Sequence, residues 1–563
     1  MFQDATHGPR SASASPEEAA LSPLGRILSV SGDAATAMLE RAALANLALM
    51  PDATLQTAGQ VGSTVKMQVR GHWVIANIRS VRLADRRVED GPDTPLIAEL
   101  DFLGEGTAPG SAPGTSHAEG GLTDFRRGVS HHPTPGSAVY PVLAADLEGI
   151  YAASDRAHIT VGSVYPTEHV SAALFIDPLL SRHFALLGST GTGKSTTTAL
   201  FLRRIIEQAP HGHILMLDPH GEYAAAFADV GQVYDVSNLH LPYWLMNFEE
   251  HVEVLVGPRT PEREAEVDIL QRCLLAARQK SRLAGAGSRI TVDTPLPYTL
   301  AELLSALSAQ MGKLDKPEKV TPYLRLKSKL EELKADPRYS FMFSGLQIND
   351  TLAQLLSEML RMPAHGRPVS IIDLSGVPSD ITNAVVALIS RLVFDFAVWT
   401  PQTERRPILL VCEEAHRYVP AERLDTFGSA RKNLERIAKE GRKYGVALGL
   451  VSQRPSDLSE AVLSQCGTII SMRLNNERDQ VFVRSAMSEG ARGFLDAIPS
   501  LRNRECIICG EGAAVPMRVR IASLAPEHCP ASDDPVFSTS WTVNSRGLPL
   551  IEDTVQRWRN QRR

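Results

Sequence analysis

The sequence predicts an α/β protein: a parallel sheet with helices on both faces, preceded by a small all-β domain and interrupted by a helical subdomain. Three observations carry this. From about residue 171 short apolar runs alternate with helix-length amphipathic stretches, as in a sheet built from strand-helix-strand units. Before that, short alternating runs separated by Gly, Asp and Pro follow one another without helices, the spacing of a barrel or sandwich. A glycine-rich phosphate-binding pattern then lies between an apolar strand and an apolar-periodic helix. With 563 residues, 43% hydrophobic and 22% charged, the chain is too long for one core and has the composition of a soluble globular protein.

Residues 1 to 23 are polar and acidic, with no signal-like apolar core, and are expected to be disordered. Residues 24 to 170 read as the β-barrel domain, with strands in "RILSVSG", "STVKMQVRG", "HWVIANIRSVRL", "LIAELDFLG", "GSAVYPV" and "HITVGSV" and a flexible loop at 104–121. Residues 171 to 520 read as the nucleotide-binding domain, with strands "HFALLG", "HILMLD", "QVYDV", "PVSIIDLS", "PILLVCE", "GVALGLVSQ" and "GTIISMRL". Between about 248 and 367 strands vanish and helices follow one another, the first starting with Thr260 as N-cap and Pro261 at its first position. Residues 521 to 563 form a C-terminal tail. No run approaches a membrane span, so a cytoplasmic protein with no membrane partner is expected. The net charge of -6 argues against indiscriminate coating of nucleic acid, although a ring can hide a basic stripe inside an acidic exterior.

The phosphate pattern is complete: Gly188, Ser189, Thr190, Gly191, Thr192, Gly193, Lys194, Ser195, followed by Thr196. Glycines let backbone amides turn inward around phosphate oxygens, and the helix beginning near Lys194 points its positive end at them. In such a loop Lys194 reaches the β- and γ-phosphates of ATP and Ser195 ligates Mg²⁺. The pattern reads as the core of a P-loop NTPase.

"PILLVCEEAHRYVP" raises a question, because an apolar strand, Ile408 to Cys412, ends in two adjacent carboxylates. Desolvating them is costly unless a cation meets them. In a parallel sheet the carboxyl ends of strands lie beside the phosphate loop, so Glu413 is placed to hold Mg²⁺ and Glu414 to polarise the attacking water. The alternative is that both acids cap the following helix. "HILMLDPHGEY" ends at Asp218, which joins the metal's outer shell or makes a turn with Gly221, and Glu222 lies four residues on. Gln453, ending "GVALGLVSQRP", is placed to contact both γ-phosphate and water. Cys506 and Cys509 have the spacing of a zinc pair, with His528 and Cys529 beyond, but positions three apart on a strand face opposite ways, so two buried strand cysteines are expected.

Together "RHFALLGSTGTGKS", "LDPHGEY", "EEAHRYVP" and "AKEGRKYGVALGLVSQRPSDL" resemble the HerA family of hexameric DNA-translocating ATPases, and "FRRGVSHHPTPGSAVYPV" resembles that family's barrel. The resemblance covers roughly residues 24 to 520. It implies a RecA-like P-loop core with a β-barrel collar, an ATP hydrolase of the DNA helicase or translocase type, and a homo-hexameric ring around double-stranded DNA. It also implies work with a nuclease (NurA-like) or another effector, such as a Sir2-like or nuclease defence protein, in DNA end processing or anti-phage defence. Arg442, in "EGRKYG", occupies the position of an arginine the family uses near the γ-phosphate, in cis or in trans. The tail resembles the family's inter-subunit brace. The basic helix "SARKNLERIAKEGRK", with Arg431, Lys432, Arg436 and Lys439 over two turns, faces either the pore or a neighbouring subunit. Two other readings share the same nucleotide site: an ATP-regulated hexameric scaffold controlling a toxic effector, and a secretion-type export ATPase.

Overall fold

The computed structural model describes residues 22–84, 94–107, 121–151, 153, 156–257, 263–285, 289–312, 319–344, 349–421, 428–487, 492–531, 536–544 and 546–559. The expected disordered N-terminus (1–21), most of the flexible loop (108–120) and the Thr260–Pro261 helix start lie outside them.

The N-terminal domain is a closed barrel. Its strands are β1 (Gly25–Ser31), β2 (Ala34–Leu39), β3 (Thr64–Val69), β4 (His72–Leu83), β5 (Leu96–Thr107), β6 (Thr123–Arg127) and β7 (Ala138–Pro141). They pair in the order β2-β1-β7-β3-β4-β5, and β5 returns to β2, which leaves the six-stranded ring without an edge. Closure relies on the length of β5, whose first half pairs with β2 and whose end pairs with β6, and on register shifts in β4 after Ile75 and Ile78 that bend the ribbon. Val65, Met67, Val74, Ala76, Ile78, Ala98 and Leu100 fill the interior.

The second sheet contains β8 (His158–Val164), β9 (Ser171–Phe175), β10 (Phe184–Leu187), β11 (His213–Asp218), β12 (Gly231–Tyr234), β13 (Val369–Asp373), β14 (Ile408–Cys412), β15 (Val446–Ser452), β16 (Thr468–Met472), β17 (Glu505–Gly510) and β18 (Met517–Ile521). Their order is β12-β13-β11-β14-β15-β10-β16-β17-β18-β8-β9. From β12 to β16 neighbours run parallel, and β17, β18, β8 and β9 add an antiparallel flank. The parallel strands are buried on both faces, which is why they read as unbroken apolar runs. "HITVGSV", grouped by sequence with the barrel, pairs instead with β18. Alternation marks a half-buried strand but not its partner, and the change of sheet falls between Pro141 and His158, upstream of the expected position near 170.

Helices Arg263–Gln279, Leu300–Met311, Thr321–Ala335 and Leu352–Met359 lie between β12 and β13, as the missing strand signal predicts. Leu300–Met311 opens with a capping box in which Thr299 and Glu302 satisfy each other's backbone N–H groups. The insertion's Leu270, Leu274, Leu303, Leu326 and Leu330 join the same apolar core as β14 and β15, so it is an extension of the nucleotide-binding domain. Among the described residues one helix, Thr382–Trp399, is long and apolar enough to cross a membrane, contrary to the reading that no run approaches that length. Two-thirds of it is buried in the protein, packed beside helix Gly428–Tyr444, which accounts for its composition. Cys506 and Cys509 enter the cores on opposite faces of the sheet. Among the described residues no group of three or more His, Cys, Asp or Glu is arranged to hold a metal by itself.

Candidate nucleotide site

The site is built at the carboxyl edge of β10, β11, β14 and β15. The chain leaves β10 at Leu187 and turns through Gly191 (φ 76°) and Gly193 (φ 98°), left-handed conformations that glycine adopts without strain. Helix Lys194–Gln208 follows directly, with Gly193 as its cap. A Cβ on Gly188 would stand 2.8 Å from Met472 Cβ and 3.0 Å from Thr192 Oγ1, so this position needs its missing side chain too. Lys194 is nearly buried, and its Nζ donates to Ser189 O at 3.2 Å across the loop. Burial lowers its pKa, against the pull of Glu413, Glu414 and Glu222.

Glu413 and Glu414 are each 3% exposed. The Glu413 N–H donates to Leu217 O at 3.1 Å, prolonging the β11–β14 ladder by one residue. Glu414 then takes φ 50°, a strained left-handed conformation for a non-glycine residue, and turns the chain into the short helix Ala415–Arg417. The two side chains therefore diverge. Glu413 Oε2 accepts the Tyr223 hydroxyl at 2.8 Å. Burial pushes its carboxyl up to about 8, Glu414 and Asp218 add to the rise, and Tyr223 and Lys194 oppose it. Glu414 Oε1 accepts Gln453 Nε2, while Gln453 Oε1 accepts the Thr190 hydroxyl, a relay from the phosphate loop through the end of β15 to the second carboxylate. His416 Nδ1 lies 3.2 Å from both Glu414 Oε2 and Ser452 Oγ.

Ser195 Oγ donates to Glu222 Oε2 at 3.1 Å. Asp218 makes the turn: Oδ1 accepts the N–H groups of His220 (3.1 Å) and Gly221 (2.9 Å), and Oδ2 accepts that of Tyr223 (3.0 Å). Of the two alternatives left open for Asp218, its oxygens are committed to the turn that brings Glu222 and Tyr223 to the site. The cluster holds Glu222, Glu413 and Glu414 around one ammonium. Hydroxyl and carboxylate oxygens without a thiolate are the donor set of a hard divalent cation such as Mg²⁺, which also fits the raised pKa of Glu413.

Residues 159–393 match the family model described as the central domain of helicase HerA. Over those residues the chain is similar to HerA. It is 28% identical over 399 residues to the DNA double-strand break repair helicase HerA of Pyrococcus furiosus, covering 64% of this chain and 69% of that protein. The probable HerA of Methanocaldococcus jannaschii is 27% identical over 67% of this chain and 78% of its own length, and the HerA of Sulfolobus acidocaldarius 26% identical over 76% and 80%. Among solved structures, VirB4 of Thermoanaerobacter pseudethanolicus aligns with 66% of this chain and 98% of its own at 18% identity and a TM-score of 0.46.

Within this HerA-like domain Glu413, Glu414 and Gln453 lie beside the phosphate loop, and Arg442 does not join them. It is exposed near the carboxyl end of helix Gly428–Tyr444, at the amino end of β15, whereas Gln453 follows the carboxyl end of that strand. Seven residues of strand separate them by roughly 23 Å. Arg431 and Lys432 of the basic helix are engaged within the chain. Arg431 pairs with Glu435 at 2.8 Å and donates to Pro420 O, and Lys432 pairs with Glu249 at 3.0 Å. Tyr223 and His416 were missed as site residues. Tyr223 follows Glu222 in "HGEY" and His416 lies two residues past Glu414, so proximity to the assigned carboxylates was the available signal.

Proposed function

We propose that this HerA-like chain is an ATP-driven double-stranded DNA translocase or helicase that works as a homo-hexameric ring with a nuclease or other effector. The observation that carries the reading is the relay Thr190–Gln453–Glu414 beside Lys194, because it links the phosphate loop to a buried carboxylate at the end of β14. The amides of residues 188–196 and the Lys194 ammonium bind and orient the β- and γ-phosphates. Ser195 and Glu413, with Glu222 behind Ser195, would hold Mg²⁺, which when bound neutralises charge on the phosphate oxygens. Glu414 accepts the proton of the attacking water as its oxygen bonds to the γ-phosphorus and the bond to ADP breaks. Gln453 orients that water, and loss of the γ-phosphate changes what its amide contacts, which passes the event to β15. The distance of Arg442 from its own phosphate loop supports its use in the site of a neighbouring subunit.

Steady-state ATP hydrolysis with and without linear duplex DNA, with Lys194→Ala as blank, tests the proposal. Stimulation by duplex is expected. Hydrolysis indifferent to DNA but awakened by a co-encoded partner would replace the translocase with an effector scaffold.

A further inference from the structure

Arg504 lies against the phosphate loop on the side opposite Glu414 and has no part in the chemistry above. Its N–H donates to Thr192 O at 3.1 Å, and a Cβ built on Gly193 would come within 3.5 Å of its Cγ. Backbone and side-chain stem therefore follow the last two residues before Lys194. Its φ of 65° is left-handed, a conformation that glycine would hold without strain and arginine does not. The guanidinium Nη2 donates to Ser523 Oγ at 2.6 Å and to Ile521 O at 3.3 Å. Both acceptors are neutral, and among the described residues no carboxylate pairs with it. An arginine that pairs with no acid among the described residues and is laid along a loop of phosphate-binding amides is suited to an anion.

Sheet order says which end of the nucleotide this is. β14 and β15, which bring Glu413, Glu414 and Gln453, lie on one side of β10; β16 and β17 lie on the other. Because β17 runs antiparallel to β16, its first residues sit at the same edge as the loop. A nucleotide whose γ-phosphate points toward Glu414 presents its α-phosphate to the β17 flank. The segment after β18 reinforces the arrangement: the Ile521 N–H donates to Arg504 O at 2.8 Å, and ten residues on the Ala531 N–H donates to Glu222 O at 2.9 Å. One strap thus ties Arg504 to the residue that holds Ser195.

We propose that Arg504 is a nucleotide-binding residue, contacting the α-phosphate end of ATP and ADP alike and positioned by Ser523 and the strap. This rests on the reading of the loop as an ATP site. Such a contact is made equally before and during reaction, so its loss raises KM and leaves kcat near wild type. The test is calorimetric titration of ATP and ADP into the full chain as wild type, Lys194→Ala, Arg504→Gly and Arg504→Lys, with thermal melts of the nucleotide-free proteins. Glycine accepts φ 65°, so Arg504→Gly keeps the backbone. It should weaken ATP and ADP about 10- to 100-fold without lowering the melting temperature, and Arg504→Lys should recover part of the loss. Wild-type affinity in Arg504→Gly, beside a wild type that binds ATP and a Lys194→Ala that does not, would overturn the assignment. Equal binding by wild type and Lys194→Ala would instead remove the ATP site itself.

Discussion

Two clusters of buried charge lie within this domain and are solved in opposite ways. At the base of the helical insertion Glu250 is fully buried, and each of its oxygens accepts from Arg391, at 2.8 and 3.0 Å, while Oε2 also accepts the Asn247 N–H. Arg278 donates through Nη1 to Thr294 O and through Nη2 to Met246 O and Trp244 O, its buried Nε finding no partner among the described residues, and His251 bonds Asn247 O and the Tyr298 hydroxyl. Burial works against the Arg391 charge, yet Glu250 and Asp395 raise its pKa overall. At the lip of β14 the reverse holds. Glu413 has a single phenol partner, burial drives its pKa up to about 8, and Lys194 is driven down. The Glu250–Arg391 pair, whose charges meet each other, ties the insertion to helix Thr382–Trp399; carboxylates left short of positive charge are suited to a ligand.

The comparison breaks most sharply where activity and stability are measured on the same variants. Lys194→Ala and Glu414→Gln should lower ATP turnover by about 10²- to 10⁴-fold while thermal unfolding stays near wild type. Arg391→Met should do the opposite: it strands the buried Glu250 carboxylate and costs about 3–5 kcal/mol, read as a fall in denaturant midpoint, with nucleotide affinity of the folded fraction unchanged. A large stability loss in Glu414→Gln, or none in Arg391→Met, would dissolve the distinction.

Acid sharpens it further. Burial holds His251 down to about 3, so between pH 6.5 and 3 the unfolded chain binds a proton that the folded chain refuses. Stability should therefore fall as pH drops below about 6.5, by at most about 1.4 kcal/mol per pH unit from this group. Denaturant titrations at pH 7 and 5 should show a smaller difference in His251→Gln than in wild type. The smallest effect belongs to Tyr223→Phe, which removes one hydrogen bond to Glu413 and should cost about 1 kcal/mol by chemical denaturation.

Much of the site was legible because its parts are fixed by short spacings. The phosphate loop is contiguous, and Glu413, Glu414 and Gln453 sit where apolar strands end, so periodicity placed them at one edge. What was hidden depends on partners far along the chain. Asp218 was open between metal shell and turn until three backbone donors claimed its oxygens. Glu222 met Ser195, and Arg504 met the phosphate loop from more than 300 residues away, through contacts no local pattern encodes. The charge pattern of "SARKNLERIAKEGRK" was plain, but whether Arg431 and Lys432 were spare depended on Glu435 and Glu249. "HITVGSV" was recognisable as a strand and still went to the other sheet, since alternation carries no record of its neighbour.

We propose that the short-handed cluster at β14 binds ATP and that Glu414 alone among its carboxylates takes the water's proton. Single-turnover hydrolysis of pre-bound ATP by wild type and Glu414→Gln, followed by release of ADP, measures this directly. The variant is expected to retain ATP at wild-type affinity and to hold it uncleaved. Cleavage at the wild-type rate would contradict it and take the base role away from Glu414.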